Sequence, residues 1–271
     1  MKYIHLIFLS VLSLLMVNCK KSENKTPAPE NKKSLKVMTY NIHVANPPSK
    51  PGVVDMNAIA NVINKEKPDF VALQEVDKFT TRSGKALDQA AELGKLTNMK
   101  HVFIKAIDRS EGEYGLAILS KFPIEESATF SLPVNQGTGA ELRALGLIKV
   151  KFDGMDLVFA TTHLDHLENS NRELQSREIL KNLKSYQKYP IILGGDFNMD
   201  QSNQTWNTLK TLFNVGCSTC PSTHSATNPK TAIDFLLLNN EASSVFKVKS
   251  YYTHPETYAS DHLPVVMVLT Y

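Results

Sequence analysis

Asp196 and Asn198 stand two residues apart at the end of the stretch Ile191-Ile192-Leu193-Gly194-Gly195-Asp196-Phe197-Asn198. The apolar start reads as a buried strand, the glycines as backbone that lets a ligand crowd close, and the period-two spacing as placing carboxylate and amide on one side. That pair suits a phosphate, or a hard cation that takes oxygen ligands. A single Asn or Asp at a strand end is an ordinary turn former, but here the pattern recurs wherever an apolar run gives out. Asn41 follows residues 37–40, Glu75 follows 71–73, and His163 and Asp165 follow 157–162. Asp234 lies within 232–238, and Asp261 and His262 precede 263–266. These side-chain types bind Mg²⁺ and move protons. Hydrolysis of a phosphate ester needs an in-line water, a proton acceptor and positive charge near the developing oxyanion, and this set supplies them. Arg143, in Ala140-Glu141-Leu142-Arg143, could fork onto a phosphate. Glu113 and Tyr114 could flank the scissile group or pair with His163. His43, His166 and His224 read as structural or rim residues.

These groups need strands to carry them. Residues 35–40, 70–73, 101–106, 115–120, 144–151, 156–162, 191–193, 232–238, 245–252 and 264–270 read as strands from their apolar and β-branched content. Phe152-Asp153-Gly154-Met155 is a tight hairpin signal. A helix capped by Asp55, with Ile59, Val62 and Ile63 on one face, stops at Pro68. Further helices are expected over 86–98 (Leu87, Ala91 and Leu96 inward), 171–187 (Leu174, Ile179, Leu180 and Leu183 inward) and 202–213. Hairpins require antiparallel pairs, so two sheets covered by helices fit better than one doubly wound parallel sheet.

The 271-residue chain carries a formal charge of +3, but residues 1–36 hold seven Lys against two Glu. Residues 37–271 therefore carry 23 basic and 25 acidic side chains, a net −2. Such a domain has no general field for a polyanion, which disfavours extended nucleic-acid binding. At the N-terminus, Lys2 precedes an apolar run over 4–17 that ends at Asn18-Cys19-Lys20-Lys21. The run is short for a bilayer span and suits a signal-peptide core. Residues 20–34 are polar and Pro-containing, as in a solvated tether. Cys217 and Cys220 read as a loop staple or two free thiols, since neither a zinc set nor a redox helix accompanies them.

Six ordered strings resemble the successive motifs of the endonuclease/exonuclease/phosphatase superfamily: Thr39-Tyr40-Asn41-Ile42-His43, Leu73-Gln74-Glu75-Val76-Asp77, Tyr114-Gly115-Leu116-Ala117-Ile118-Leu119-Ser120, Thr162-His163-Leu164-Asp165, Gly195-Asp196-Phe197-Asn198 and Ser260-Asp261-His262-Leu263-Pro264. The likeness covers about residues 35–271. It implies a four-layered α/β/β/α sandwich of two mixed, mainly antiparallel sheets, and a metal-dependent phosphoester hydrolase. It also implies that Glu75 is the principal Mg²⁺ ligand, with Mn²⁺ acceptable, and that Asn41 and Asp261 complete the shell. His262, oriented by Asp234, would activate water. His163 would contact phosphoryl oxygens or assist the leaving group, and Asp196 with Asn198 would position the nucleophile. Arg82-Ser83, Glu113-Tyr114-Gly115, Arg172 and Gln175 look most similar to a branch of small bacterial secreted hydrolases and the C-terminal domain of GPI-anchor lipid-remodelling proteins. Val44-Ala45-Asn46-Pro47-Pro48 departs from that branch's Gly-rich turn.

The apolar run ending in one Cys likewise resembles a bacterial lipoprotein signal, from which Asn18 departs, because a small residue usually precedes that Cys. The expectation is a signal peptide over 1–18, a lipidated Cys19 and tether over 19–34, and one catalytic domain over 35–271. The protein would be anchored to a membrane outside the cytoplasm, periplasmic or at the cell surface. Its substrate would be a lipid head group, inositol phosphate or other small phosphoester. The alternatives are a lipid-tethered nuclease and a catalytically inactive binding lipoprotein.

Overall fold

A computed structural model describes residue 1 and residues 33–271. The apolar run, Cys19 and nearly all of the tether lie outside the described residues. In chain order the elements are β1 (Ser34–Asn41), α1 (Met56–Glu66), β2 (Phe70–Lys78), α2 (Gln89–Thr97), β3 (Lys100–Arg109), β4 (Gly112–Ser120), β5 (Glu126–Leu132), β6 (Arg143–Phe152) and β7 (Met155–His163). They continue as α3 (Asn169–Leu183), β8 (Ile191–Asp196), α4 (Trp206–Leu209), β9 (Phe213–Val215), β10 (Asp234–Asn239), α5 (Asn240–Val245), β11 (Lys247–Thr253) and β12 (Val265–Thr270).

The strands form two six-stranded sheets, ordered β11-β12-β1-β2-β4-β3 and β5-β6-β7-β8-β10-β9. Val37, Phe70 and Ile118 of the first meet Ile148, Phe159 and Ile192 of the second in a central core. A second cluster joins the outer face of the first sheet to Ile59, Val62 and Ile63 of α1 and to Leu93 of α2. A third joins the outer face of the second sheet to Ile179 and Leu183 of α3 and to Trp206 of α4. This is the four-layered α/β/β/α sandwich. Each sheet holds one parallel pair, β1 with β2 and β7 with β8, and the other pairings are antiparallel. Crossover helices α1 and α3 follow β1 and β7, so Asn41 beside Gln74, and His163 beside Asp196, finish their strands in register. Ligands in sheets of this kind gather beyond the carboxyl ends of parallel strands.

The local expectations are met in places and moved in others. Asp55 caps α1 by accepting from the Ala58 N–H at 3.0 Å, and Asp153 (φ 47°) and Gly154 (φ 86°) make the β6–β7 hairpin turn. β5 escapes the sequence pattern because its side chains alternate between half-buried and exposed with Ser and Thr among them. Leu87 and Leu96 pack against the core as read, but the residues buried on α2 are Gln89, Ala90, Leu93 and Gly94 rather than Ala91, since Asp88 caps the helix and sets its phase. Only residues 206–209 of the stretch 202–213 are helical. The inner face of α3 begins with Asn171, Arg172, Gln175 and Ser176 ahead of Ile179 and Leu183. The N-terminal half of that face ties down loops by hydrogen bonds. Asn171 Oδ1 accepts from the Asn135 N–H at 2.8 Å, and Gln175 Oε1 accepts from the Asp165 N–H at 2.8 Å.

Gly194 and Gly195 make room for neighbouring strands rather than for a ligand. A Cβ on Gly194 would lie 2.8 Å from Ala72 Cβ in the facing sheet, and one on Gly195 would lie 2.6 Å from the Thr162 carbonyl oxygen. Cys217 and Cys220 are joined as a disulfide. Among the described residues no helix is long and apolar enough to cross a membrane.

Candidate active site

Glu75 reaches the site through a break in β2. The pairing register with β4 slips between Gln74 and Val76, and Glu75 there takes the left-handed region at φ 56°. A bulge of this kind re-aims one side chain without ending the strand. Directly before it, Gln74 Nε2 donates to Thr161 Oγ1 at 3.0 Å, a buried bond between the two sheets. Asn41, at the end of β1, donates its amide to Glu75 Oε1 at 3.1 Å and to Asp196 Oδ2 at 3.0 Å. Its Oδ1 accepts from the His43 N–H at 3.1 Å, so Asn41 holds two carboxylates from opposite sheets together. The turn carrying Asp261 and His262 is seated on the same strand end. Ser260 Oγ donates to the Asn41 carbonyl at 2.7 Å and accepts from the His262 N–H at 3.2 Å.

Asp196 and Asp234 face each other across the β8–β10 register, and His262 lies against both. Its Nδ1 is 2.8 Å from Asp234 Oδ2, and its Nε2 is 3.8 Å from Asp196 Oδ2. Burial opposes charge on His262, but the Asp234 carboxylate and its hydrogen bond, with Asp196 and Asp261 beyond, push the imidazole up to about 10. Burial and the charge of Asp234 raise Asp196, against the pull of His262 and the bonds from Asn198 and Asn41. His163 is driven well below its usual range by burial and by Arg143, His262 and His166, and is therefore neutral. Asn198 donates its amide to the Leu164 carbonyl at 3.0 Å and reaches His163 Nε2 at 3.0 Å. Both amide hydrogens are then used, and the contact requires Nε2 of His163 to be the accepting nitrogen. Asn198 comes to the site through a turn rather than along an extended strand. Its φ is 49° and its N–H donates to Asp196 Oδ1 at 2.9 Å.

Glu75, His163, Asp196, Asn198, Asp261 and His262 line a polar cavity of about 560 Å³, while Asn41 and Asp234 support it from behind. The carboxylates share it with Arg82, Arg109, Tyr114 and Arg143. Arg143 is only 4% exposed, its Nη2 lies 3.2 Å from His166 Nδ1, and its buried Nε has no hydrogen-bond partner among the described residues. Glu113 does not belong here. Side chains alternate along β4, so Tyr114 enters the cavity while Glu113 turns outward to Lys105 at 3.2 Å and Lys78 at 3.9 Å, away from His163. Asp165 is fully buried and accepts from the Glu168 N–H and Asn171 Nδ2, which secures the start of α3. His166 and His224 line the cavity, and the His224 ring packs 4.8 Å from that of His262. Arg109 escaped the pattern because β3 runs on to it, past the 101–106 read from the sequence, and His166 and His224 come in on loops.

The donor set fits a hard divalent cation. Among the described residues no Lys or Arg pairs with Glu75, Asp196, Asp234 or Asp261, and His262 beside them carries a charge. One Asp234 oxygen is buried with no partner. Carboxyl and amide oxygens are the ligands that Mg²⁺, Mn²⁺ and Ca²⁺ share. Two compact groups, Asp261 with His224 and His262, and Asp196 with Asp234 and His262, bring ligand atoms close enough to share an ion. Glu75 stands outside both and meets the second through Asn41.

Carboxylates and guanidiniums gathered in one cavity between two facing sheets define a hydrolase class that works on phosphoesters with a divalent metal. The chain belongs to the Endonuclease/Exonuclease/phosphatase family, whose sequence profile matches residues 38–262. A family member from Beutenbergia cavernae superposes with a TM-score of 0.73 at 26% identity, covering 88% of this chain and 72% of its own. A mannosyl-6-phosphatase from Bacteroides thetaiotaomicron shares the fold with a TM-score of 0.68 at 22% identity, over 88% of this chain and 100% of its own. A humanized D. rerio TDP2 does so with a TM-score of 0.66 at 17% identity, over 87% and 98%. No curated protein sequence matches significantly. The protein is a metal-dependent phosphoester hydrolase.

Proposed function

We propose that the chain is a Mg²⁺-dependent phosphodiesterase or phosphatase acting outside the cytoplasm on a lipid head group, inositol phosphate or other small phosphoester, held at a membrane through Cys19. The observation that carries this reading is one cavity holding both metal-type carboxylates and a buried guanidinium. Among the described residues Glu75 and Asp261 have no lysine or arginine partner, and Arg143 in the same cavity keeps an unpartnered Nε. A volume of about 560 Å³ suits a head-group-sized ligand. Leu142 and Leu167, 45% and 49% exposed, sit beside Arg143 and on the cavity wall, an apolar rim suited to a lipid surface. The net −2 of residues 37–271 disfavours the nuclease alternative. A phosphatase among proteins of the same fold is in keeping with a small-phosphoester substrate.

In this mechanism Glu75 and Asp261, with Asn41 beside Glu75, would hold the cation, which would polarise a phosphoryl oxygen and lower the pKa of bound water. Asn41 keeps Glu75 and Asp196 at a fixed spacing. We assign the proton acceptor to Asp196, because burial and Asp234 raise its affinity for a proton while His262 is already charged at neutral pH. His262, oriented by Asp234, then offers positive charge to the phosphoryl oxygens. Neutral His163, fixed by Asn198, lies against the same group, and Arg143 supplies the guanidinium fork.

The deciding experiment is hydrolysis by the full chain, with Mg²⁺ or EDTA, of plasmid DNA, RNA, inositol phosphates, sphingomyelin and glycerophospholipids. Metal-dependent cleavage confined to small or lipid phosphoesters supports the proposal, and efficient cutting of DNA or RNA overturns it in favour of a tethered nuclease. Palmitate labelling that is lost in Cys19→Ser tests the anchor.

A further inference from the structure

The arginines of the cavity are not equivalent. Arg143 is buried and has no carboxylate partner among the described residues, whereas Arg82 and Arg109 are each paired and both lie over the Tyr114 ring, with Cζ 5.2 Å and 5.7 Å from its centroid. Arg82 is held rigidly. Its Nε and Nη2 each donate at 2.7 Å to Asp77, whose fully buried carboxylate also accepts from Thr80 Oγ1 at 2.9 Å and Ser83 Oγ at 2.6 Å. That fork uses one edge of the guanidinium and leaves Nη1 for a ligand in the cavity that Arg82 lines. Arg109 is held differently. Its partner is Glu141, and both side chains are more than a third exposed, at 39% and 38%. Glu141 belongs to the loop between β5 and β6, where Gly137 and Gly139 take left-handed conformations at φ 78° and 66°.

Glu141 thus places an anion on a guanidinium that lines the substrate cavity, over an aromatic ring shared with a second guanidinium. An exposed ion pair of this sort contributes little stability and exchanges readily, and a guanidinium stacked on an aromatic ring is well suited to grip a phosphate or carboxylate by two hydrogens. We propose that Arg82, Tyr114 and Arg109 form a subsite for a second anionic group of the substrate, a phosphate or carboxylate other than the scissile phosphoryl, and that Glu141 occupies this subsite until substrate displaces it. This rests on the reading of the cavity as a phosphoester site, and narrows it to substrates with two anionic groups. Because Glu141 sits on a loop with two left-handed glycines, outside both sheets, its release needs no movement of either sheet.

Calorimetric binding of inositol 1-phosphate and inositol 1,4-bisphosphate to the full chain with Mg²⁺ tests the proposal without requiring turnover. The wild type is expected to bind the bisphosphate about tenfold more tightly than the monophosphate, the scale of one charged hydrogen-bonded pair. Arg109→Ala should collapse that ratio towards one, and Glu141→Gln should widen it. An unchanged ratio in Arg109→Ala, or no preference in the wild type, overturns the subsite. Binding with the expected ratio but no metal-dependent hydrolysis of any phosphoester would leave the subsite standing and overturn the proposed hydrolysis instead.

Discussion

Asp234 and Asp196 oppose each other across two antiparallel strands, and His262 bridges them, 2.8 Å from the first and 3.8 Å from the second. A cation flanked by two buried carboxylates keeps its proton far above the ordinary histidine range, up to about 10. In metal-free protein, an NMR titration of the His262 ring should find the imidazolium intact through neutral pH, and Asp234→Asn should lower its pKa. Because the folded value lies above the unfolded one, the stability this pair contributes is fully present below about 6.5 and is lost as pH rises towards about 10.

Asp196→Asn keeps the shape of the site while removing the proposed proton acceptor. It should cut kcat on the order of 10²–10⁴-fold, the range of general-base catalysis, with little change in KM. A loss confined to KM would reassign Asp196 to binding.

Glu75→Ala should abolish metal-dependent hydrolysis and weaken Mg²⁺ binding in calorimetry, and EDTA should reproduce the loss in the wild type. Full activity in the variant would remove Glu75 from the metal site.

Glu66 fastens α1 to β11 and the loop after it. It accepts from Tyr252 Oη at 2.7 Å and from Lys36 Nζ at 3.3 Å, and lies 2.6 Å from His254 Nδ1. Burial raises its pKa, but the bonds from Tyr252, His254 and Lys36 outweigh burial and hold it below the ordinary Glu range. Its contribution is therefore present above the ordinary Glu range and is lost as pH falls through the lowered folded value. Glu66→Gln should cost about 1–3 kcal/mol in urea denaturation at pH 7, and the difference from wild type should shrink on acidification.

Gly194→Ala adds a methyl where Ala72 Cβ would stand 2.8 Å and Thr39 Cβ 3.1 Å away. Both neighbours belong to the facing sheet, which cannot retreat without opening the core. The substitution should cost about 1–3 kcal/mol by overpacking, seen as a lower urea midpoint with an unchanged slope.

The strand-end residues were legible because backbone periodicity alone determines them. An apolar run of strand length must be buried, so the polar residue that ends it emerges at the sheet's edge, as Asn41, His163 and Asp196 do. Their order also carried the family and hence the four layers. What the sequence could not decide was which polar groups meet. Glu113 and Tyr114 are neighbours in the chain, yet alternation along β4 sends one to Lys105 and the other into the cavity. The stripe read on α3 holds at Ile179, Leu180 and Leu183, but Leu174 gives way to a face headed by Asn171, Arg172 and Gln175, because those side chains satisfy loop backbone that has no ladder partner. Arg82 and Arg109 lie on separate segments and meet over Tyr114 only through the register of β2, β3 and β4, and Glu141 reaches Arg109 from a loop of the other sheet. Residue type and spacing thus determined the chemistry available, while long-range pairing and buried hydrogen bonds decided its geometry, since they depend on contacts between segments far apart in the chain.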